Sequence, residues 1–188
     1  MKKTHVFNPE HVAVLEMEER KLWQNPDQIL GIVDIKSNFV AADVGCGSGF
    51  FTIPLAKKVT KVYAIDVQKE MLEILAQKIH KQKIWNIELV LSKENEIPLD
   101  DENVSLLISV NTLHEFGDKE KMIKEMQRVL KPKGKAVIVD FKKEKTGFGP
   151  PVAIRVSKAQ AVSLFERKSF KMEKTLDLPF HYALVFSK

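Results

Sequence analysis

The sequence predicts an α/β protein built on a mostly parallel, doubly wound sheet. From Phe39 onward, short apolar runs alternate with helical patterns, which is typical of βαβ units. One apolar run leads directly into a glycine-rich turn at which a helix begins. The tail then changes to two strand-like segments separated by Pro179, which indicates an antiparallel hairpin that closes the sheet.

Size and composition fit one compact domain without a second folding unit. The chain has 188 residues, of which 44% are hydrophobic, so a sizeable core can form. No apolar run reaches the roughly 18 residues of a membrane span, and the first residues lack a secretory signal. The single cysteine, Cys46, excludes an internal disulfide and a cysteine-based zinc site. We therefore expect a cytoplasmic protein that makes no membrane contact.

The charge pattern predicts a solvated surface. Thirty Lys and Arg residues against 25 Asp and Glu residues give a net charge of +5, and the lysines are scattered among glutamates. This mixture favours an ordinary surface over a nucleic-acid face. Heavy use of Lys and Glu with few arginines is also typical of thermophilic proteins.

Two helices are predicted ahead of the sheet, beginning near Pro9 and near Pro26. Each proline follows an asparagine that can cap the helix, and each precedes an acidic residue in the first turn. In the second helix, Ile29, Leu30 and Val33 share one face. We assign residues 1–37 to an N-terminal helical lid segment and residues 38–188 to the core.

Strands and helices then alternate along the core. The predicted strands are 39–44, 61–66, 87–91, 104–110 and 135–141, followed by a hairpin whose second strand is 181–186. Apolar stripes predict helices over 70–81 and 119–130, the second capped by Asp118 and stopped by residues 131–134. Ser157 and Gln160 match a capping box, which predicts a last helix that ends near Glu166.

The most informative segment is the turn after the first strand. Gly45, Gly47 and Gly49 alternate there, so the backbone can approach a ligand beside the free N–H groups of a helix start. A dinucleotide fingerprint needs a small residue where this chain has Phe50, which argues against a dinucleotide. No Gly-Lys-Ser or Gly-Lys-Thr follows, which removes a P-loop.

Two carboxylates indicate what the turn holds. Asp66 ends the next strand, where its carboxylate can accept the hydroxyl hydrogens of a ribose. Asp43, immediately before the turn, would repel a pyrophosphate and attract a cationic group. Together they predict a nucleoside ligand that carries positive charge. A tight turn without a ligand, with Asp66 as a helix cap, is the alternative.

These residues resemble the class I S-adenosylmethionine-dependent methyltransferases. Their first motif, an acidic residue followed by G-x-G-x-G, is matched in full by 43–49, and Asp66, 92–98 and 130–135 fit the later motifs. The small ubiquinone- and menaquinone-methyltransferase-like group, methyltransferase domain type 11, is the most similar. The resemblance covers roughly residues 38–188.

The resemblance implies a Rossmann-like sheet of seven strands in the order 3-2-1-4-5-7-6. It also implies S-adenosylmethionine as cofactor and S-adenosylhomocysteine as product. The cofactor residues that it implies are Asp43, Gly45, Cys46, Gly47, Gly49, Asp66, Val67, Ser92, Lys93, Glu94 and Asn111. Related proteins often carry Asp where this chain has Ser92, so the adenine contact falls to Ser92, to Glu94 or to backbone.

The acceptor is expected at the carboxyl end of strand four, because ligands bind where the strand order reverses. Methyl transfer is an in-line displacement, in which alignment alone can contribute about 7–11 kcal/mol. His114 lies at this strand end, and histidine is the side chain whose ordinary pKa lies near neutrality. We predict that it is a base or an orienter of the substrate; a packed histidine at a strand end is the alternative.

The remaining site predictions concern the acceptor. Phe7, Arg155 and the pair His181-Tyr182 are candidate pocket residues, with Arg155 either binding an anionic acceptor or the cofactor carboxylate, or forming a surface ion pair. No N-P-P-Y motif, nucleophilic cysteine or metal-binding cluster is evident, which argues against methylation of DNA bases. We expect a small-molecule acceptor. An RNA methyltransferase and a non-catalytic cofactor-binding module remain as alternatives.

Overall fold

The computed structural model describes Met17 and residues 19–188, and the helix predicted near Pro9 lies outside these residues. The described residues form one seven-stranded sheet and six helices. The strands are β1 Val40–Val44, β2 Lys61–Asp66, β3 Ile87–Leu91, β4 Val104–Val110, β5 Leu130–Phe141, β6 Lys171–Asp177 and β7 His181–Ser187. The helices are α1 Arg20–Trp23, α2 Pro26–Leu30, α3 Thr52–Ala56, α4 Lys69–Lys81, α5 Lys119–Val129 and α6 Lys158–Glu166.

The sheet has the order β3-β2-β1-β4-β5-β7-β6, as the resemblance implied. Strands β1 to β5 are parallel, whereas β7 runs antiparallel to both β5 and β6. The order reverses between β1 and β4, so a crevice opens at the carboxyl ends of these two strands. This is the place where the sequence predicted the ligands.

Both faces of the sheet are covered by helices, which explains why the central strands are almost wholly apolar. One core cluster joins the sheet to α5 and α6, through residues such as Met126 and Phe165. The other joins it to α2 and α3, through Ile29 and Leu55. With the sheet held from two sides, the turns at its carboxyl edge are fixed in position.

Side-chain caps determine where three of the helices begin. The Asn25 side chain accepts hydrogen bonds from the backbone N–H groups of Asp27 and Gln28, at 2.9 and 3.3 Å. Asp118 caps α5 through the N–H of Lys121, and Ser157 and Gln160 form the predicted capping box of α6. These interactions satisfy backbone donors that have no partner inside the helix.

One boundary, the start of β5, differs from the prediction by more than one residue. Strand β5 begins at Leu130, which pairs with Val104, although residues 131–134 were predicted to separate the helix from the strand. The register shifts before Lys135 pairs with Leu106, and Lys133 has a φ of 64°. The turn chemistry of this segment therefore produces a bulge inside a longer strand.

Candidate active site

The glycine turn connects β1 to α3 and passes close to two neighbouring elements. Gly45, Gly47 and Gly49 have φ values of 74°, 51° and 91°, which side-chain-bearing residues rarely adopt. A Cβ atom on Gly45 would overlap the side chain of Thr112, and one on Gly49 would overlap Leu75. Gly45 and Gly49 therefore cannot carry side chains, both because of their backbone conformation and because of their neighbours.

Asp66 joins this turn to the end of β2. Its carboxylate accepts hydrogen bonds from the N–H groups of Gly47 and Gln68, at 2.8 and 2.9 Å. Burial raises the pKa of Asp66, and these backbone donors oppose the rise. A carboxylate oxygen accepts more than one hydrogen bond, so both oxygens can still receive a ribose hydroxyl. Gln68 is the N-cap residue of α4, so its contact with Asp66 is a local turn ahead of the helix and is compatible with ribose binding.

Asp43 lies beneath the turn and is almost completely buried. The Thr52 hydroxyl donates to it at 2.6 Å. Burial, with a smaller contribution from the charge of Asp66, raises the pKa of Asp43 to about 7, although Thr52 and Arg20 act in the opposite direction. A carboxylate held in this way gains stability from any cation placed above the turn.

The segment after β3 forms the next part of the sheet's carboxyl edge. The N–H of Ser92 donates to the carbonyl oxygen of Asp66 at 2.9 Å, and the side chain of Asn95 accepts from the N–H of Asp118. Lys93 and Glu94 are exposed beside them, and Val67 is 44% exposed. These residues lie next to Asp66, where the resemblance placed the adenine. Cys46 is buried in the turn, and burial raises the pKa of its thiol.

His114 forms a buried pair with Asp140, a residue that the sequence analysis did not single out. His114 Nδ1 lies 2.7 Å from Asp140 Oδ1, and the His114 backbone N–H donates to Asp140 Oδ2 at 2.9 Å. Glu115 Oε1 is 3.9 Å from His114 Nε2, too far for a hydrogen bond. We assign the proton to Nδ1 because its neighbour is a carboxylate, which leaves Nε2 as an acceptor.

A signal for Asp140 does exist in the sequence. It is the one charged residue in an otherwise apolar run at the end of β5, and β5 is the neighbour of β4. Carboxyl ends of neighbouring parallel strands meet at the same edge of the sheet. Because Asp140 and His114 both lie at the carboxyl ends of these neighbouring strands, their contact could have been predicted.

Asn111 faces the N-terminal segment. Its side-chain amide makes two hydrogen bonds with the amide of Gln24, at 3.0 and 3.2 Å. Its φ of 58° turns the chain sharply at the end of β4. The contact of Asn111 with Gln24 was missed in the sequence analysis because it joins residues far apart in the chain. The cofactor contact implied for Asn111 stays a prediction.

Two predicted acceptor residues have structural roles instead. All five N–H donors of the Arg155 guanidinium are engaged, by the carbonyl oxygens of Lys142, Glu144, Phe148 and Pro150 and by the Thr146 hydroxyl. Arg155 is thus neither an anion-binding residue nor a surface ion pair, because it holds the loop 142–150. Tyr182 is completely buried and donates to the carbonyl oxygen of Val156 at 3.0 Å, so it is not available to a substrate. Phe7 lies outside the described residues.

An aromatic cluster adjoins the His114–Asp140 pair. It consists of Trp23, Phe141, Phe148, Phe180 and His181, and the rings of Phe141 and His114 are 6.2 Å apart. His181 is completely buried, and neither ring nitrogen has a hydrogen-bond partner among the described residues. Burial and nearby cationic groups lower the pKa of His181 to about 3, so its imidazole is neutral.

Over the part of the chain that the structure describes, no group of three or more His, Cys, Asp or Glu side chains could hold a metal ion. None of the helices in that part is both long enough and apolar enough to cross a bilayer.

The fold and the site define a class of protein. A parallel sheet whose first strand ends in a side-chain-free turn, and whose second ends in a carboxylate, belongs to the nucleoside-binding α/β proteins. The cradle fits an adenosyl group that carries a cation, because Asp66 retains acceptor capacity and Asp43 is a buried carboxylate.

Comparisons with known proteins agree with this class. The family model described as "Methyltransferase domain" matches residues 42–138. Demethylmenaquinone methyltransferase of Bacillus subtilis is 31% identical over 131 residues, which cover 68% of this chain and 55% of that protein. The Bacillus mycoides protein of the same name is 30% identical, with 68% and 54% covered.

A solved structure gives a match over the whole chain. A SAM-dependent methyltransferase from Aquifex aeolicus has a TM-score of 0.91 at 30% identity, covering 97% of this chain and 99% of that one. The chain belongs to the methyltransferase domain family, as a class I S-adenosylmethionine-dependent methyltransferase of the menaquinone-methyltransferase-like type. The family resemblance and the fold class are thus confirmed. The chain spans about half the length of the curated relatives that it matches.

Proposed function

We propose that this protein transfers a methyl group from S-adenosylmethionine to a small-molecule acceptor. The observation that carries the proposal is the His114–Asp140 pair, which lies at the carboxyl edge of the sheet beside a nucleoside cradle. The matched relatives are named demethylmenaquinone methyltransferases. We therefore propose a hydroxylated aromatic ring as the acceptor.

The cofactor would be held by the residues of the turn and of the neighbouring strand ends. Gly45, Gly47 and Gly49 allow close approach of the backbone, and Asp66 would accept the ribose hydroxyls. Val67 and 92–94 would border the adenine, while the Asp43 carboxylate lies beneath the cationic part. When bound, S-adenosylmethionine supplies the electrophilic methyl group.

His114 would hold the acceptor and remove its proton. Asp140 accepts the Nδ1–H of His114, which fixes the ring and leaves the Nε2 lone pair for a hydroxyl of the acceptor. If the hydroxyl proton passes to Nε2, the buried Asp140 carboxylate stabilises the resulting imidazolium. Methyl transfer also requires that the acceptor is aligned with the methyl group and that water is excluded. The apolar rings beside His114 favour both.

The N-terminal segment 1–37 would act as the lid over this site. Within its described part, the Arg20 guanidinium lies 4.1 Å from the centroid of the Phe50 ring, and Gln24 connects Arg20 to Asn111. Side chains of the segment thus contact the glycine turn and the end of β4 together. Cys46 is a free, buried thiol, which fits a reducing compartment, and we propose that the protein works in the cytoplasm.

The test is methyl transfer from labelled S-adenosylmethionine to demethylmenaquinol. His114→Gln should lower kcat by about 10²- to 10⁴-fold, the usual contribution of a general base, while cofactor affinity in calorimetry stays unchanged. Asp140→Asn should lower kcat as well, because Asn does not stabilise an imidazolium. His80→Gln, on the exposed side of α4, is the matched control and should have no effect.

Full turnover in His114→Gln would refute the role of His114. Cofactor binding by the unsubstituted protein without transfer to any hydroxylated acceptor would instead indicate a non-catalytic binding module.

A further inference from the structure

His181 is a buried polar residue that the proposed mechanism does not use. It begins β7, pairs with Phe141 of β5 and has no exposed surface. Both Nδ1 and Nε2 lack a hydrogen-bond partner among the described residues. Buried polar atoms in native proteins are nearly always paired, so an orphaned imidazole indicates a partner beyond the described residues, such as a ligand.

Two aromatic rings pack against the imidazole and restrict its orientation. The Trp23 ring lies parallel to it, with the centroids 5.3 Å apart and an angle of 4° between the planes. The Phe141 ring lies at a centroid distance of 4.1 Å with a tilt of 47°. A polar ligand would meet the imidazole at its edge, where the nitrogens are.

The surrounding rings connect this edge to the surface and to the candidate catalytic pair. Trp23 is half-buried, and Phe148, which packs against Trp23 at 5.1 Å, is 40% exposed. Phe141 immediately follows Asp140 and lies beside the His114 ring. An aromatic molecule that moves Phe148 aside would therefore approach the edge of His181 on the side of the His114–Asp140 pair.

Charge favours an electron-rich oxygen at this place. Arg20, Arg155, Lys142 and His114 all act on His181 in the direction that disfavours its protonation. A neutral imidazole has one N–H donor and one acceptor nitrogen, so it can both donate to and accept from a hydroxyl. The cationic side chains nearby stabilise negative charge that develops on that oxygen.

We propose that His181 determines acceptor specificity by hydrogen-bonding, through the edge of its ring, a hydroxyl oxygen of a planar aromatic acceptor that packs among Trp23, Phe148 and Phe180. The proposal rests on the proposed function, because that function identifies the ligand as the methyl acceptor. It assigns to His181 a positioning role, whereas the proton is transferred at His114.

The test uses binding alone and needs no turnover. The chain has two tryptophans, and Trp85 is 81% exposed, so Trp85→Phe leaves Trp23 as the only indole reporter. In this background, titration with 1,4-dihydroxynaphthalene under anaerobic conditions should change Trp23 fluorescence. The matched probe, 1,4-dimethoxynaphthalene, has the same ring but no hydroxyl hydrogen.

His181→Phe keeps an aromatic ring and removes both nitrogens. We expect it to weaken binding of the dihydroxy probe about tenfold, the effect of one lost buried hydrogen bond, and to leave the dimethoxy probe unchanged. His181→Gln, which retains a donor and an acceptor, should recover part of the preference. Unchanged cofactor binding shows that each variant is folded, and His80→Phe is the control for an exposed histidine.

Three results of the binding test would overturn the proposal: no binding of the dihydroxy probe to the parent protein, equal weakening of both probes in His181→Phe, or no weakening of either. The proposed function fails differently. Loss of methyl transfer in the unsubstituted protein, with probe discrimination intact, contradicts catalysis and leaves the role of His181 standing. Normal transfer with an unchanged acceptor KM in His181→Phe contradicts only the role of His181.

Discussion

The buried carboxylate of Asp43 destabilises the protein when it is ionised and no cationic ligand is bound. It is buried beneath the glycine turn, and its pKa is raised from 3.8 to about 7. A carboxyl group with a raised pKa in the folded state stabilises the fold when protonated. That stabilisation is complete below the unfolded pKa and is lost as the pH rises through the folded pKa.

We predict that Asp43→Asn stabilises the protein without cofactor above neutral pH. The neutral amide can still accept the Thr52 hydroxyl and carries no charge to desolvate. The free energy of unfolding at pH 8 should exceed that of the unsubstituted protein by about 2–4 kcal/mol, and the difference should shrink as the pH falls from 7 to 4. Urea denaturation at several pH values measures it.

The same variant should bind S-adenosylmethionine more weakly, because the charge that attracts the cation is gone. A gain in stability that is equal at pH 4 and pH 8 would show that ionisation of Asp43 is not the cause.

At the level of side chains, the sequence predicted those site residues whose motif lies within a short stretch of the chain. The glycines and Asp66 lie within one strand–helix–strand unit, and the structure brings Gly47 and Asp66 into contact. Gln24 reaches the site from a distant part of the chain, so no spacing reveals it, and Asp140 is found only when the charge near the end of its apolar strand is combined with the strand order. Arg155 and Tyr182 were misassigned because sequence alone does not show whether a polar group is already satisfied inside the fold.

Among the segments, the loop 142–150 is unusual because one side chain organises it. Arg155 donates to oxygen atoms along the whole loop and is itself buried. Phe148 belongs to this loop, and the position of its ring in the aromatic cluster therefore depends on Arg155. A loop of this length without helix or strand would otherwise be held weakly.

Arg155→Lys should loosen the loop and leave the cofactor cradle intact. An ammonium group cannot reproduce five planar donors, so several buried carbonyl oxygens lose their partners. We expect a loss of about 2–4 kcal/mol in the free energy of unfolding and a higher acceptor KM, with unchanged cofactor affinity. Thermal denaturation and steady-state kinetics are the measurements.

The matched control is Arg167→Lys, since Arg167 forms an exposed ion pair with Glu120. It should change stability by less than about 1 kcal/mol. Equal effects of the two substitutions would contradict the structural role of Arg155.

Most segments were predictable because caps and periodicity are encoded within a few residues. The bounds of β2, β3, β4 and α6 are those expected from the sequence. The start of β5 was not, because its first residue pairs with Val104 across a bulge, and such pairing depends on the neighbouring strand. The strand order was implied by the family resemblance, since periodicity carries no information on which strands adjoin.

At the scale of the whole molecule, many basic side chains on the described surface form ion pairs with carboxylates. Lys61 pairs with Glu88, Lys135 with Glu173, and both Arg167 and Lys168 with Glu120. Arg128 is similarly held between Asp101 and Glu125. Cations that are already neutralised contribute little to a field that attracts a polyanion.

We therefore predict weak, non-specific RNA binding. At about 0.15 M salt, fluorescence anisotropy with a labelled single-stranded RNA should give a Kd on the order of 10⁻⁵ M or weaker. Submicromolar binding that survives at this salt concentration would restore the RNA methyltransferase alternative.

The two halves of the crevice are supported by different strands. The nucleoside side is built from β1, β2 and their turns, whereas His114, Asp140 and His181 come from β4, β5 and β7. Sequence changes in the loop 142–150 or at the start of β7 therefore leave the nucleoside side of the crevice unchanged. The architecture lets descendants of one ancestral scaffold acquire new substrates while they retain the same methyl source.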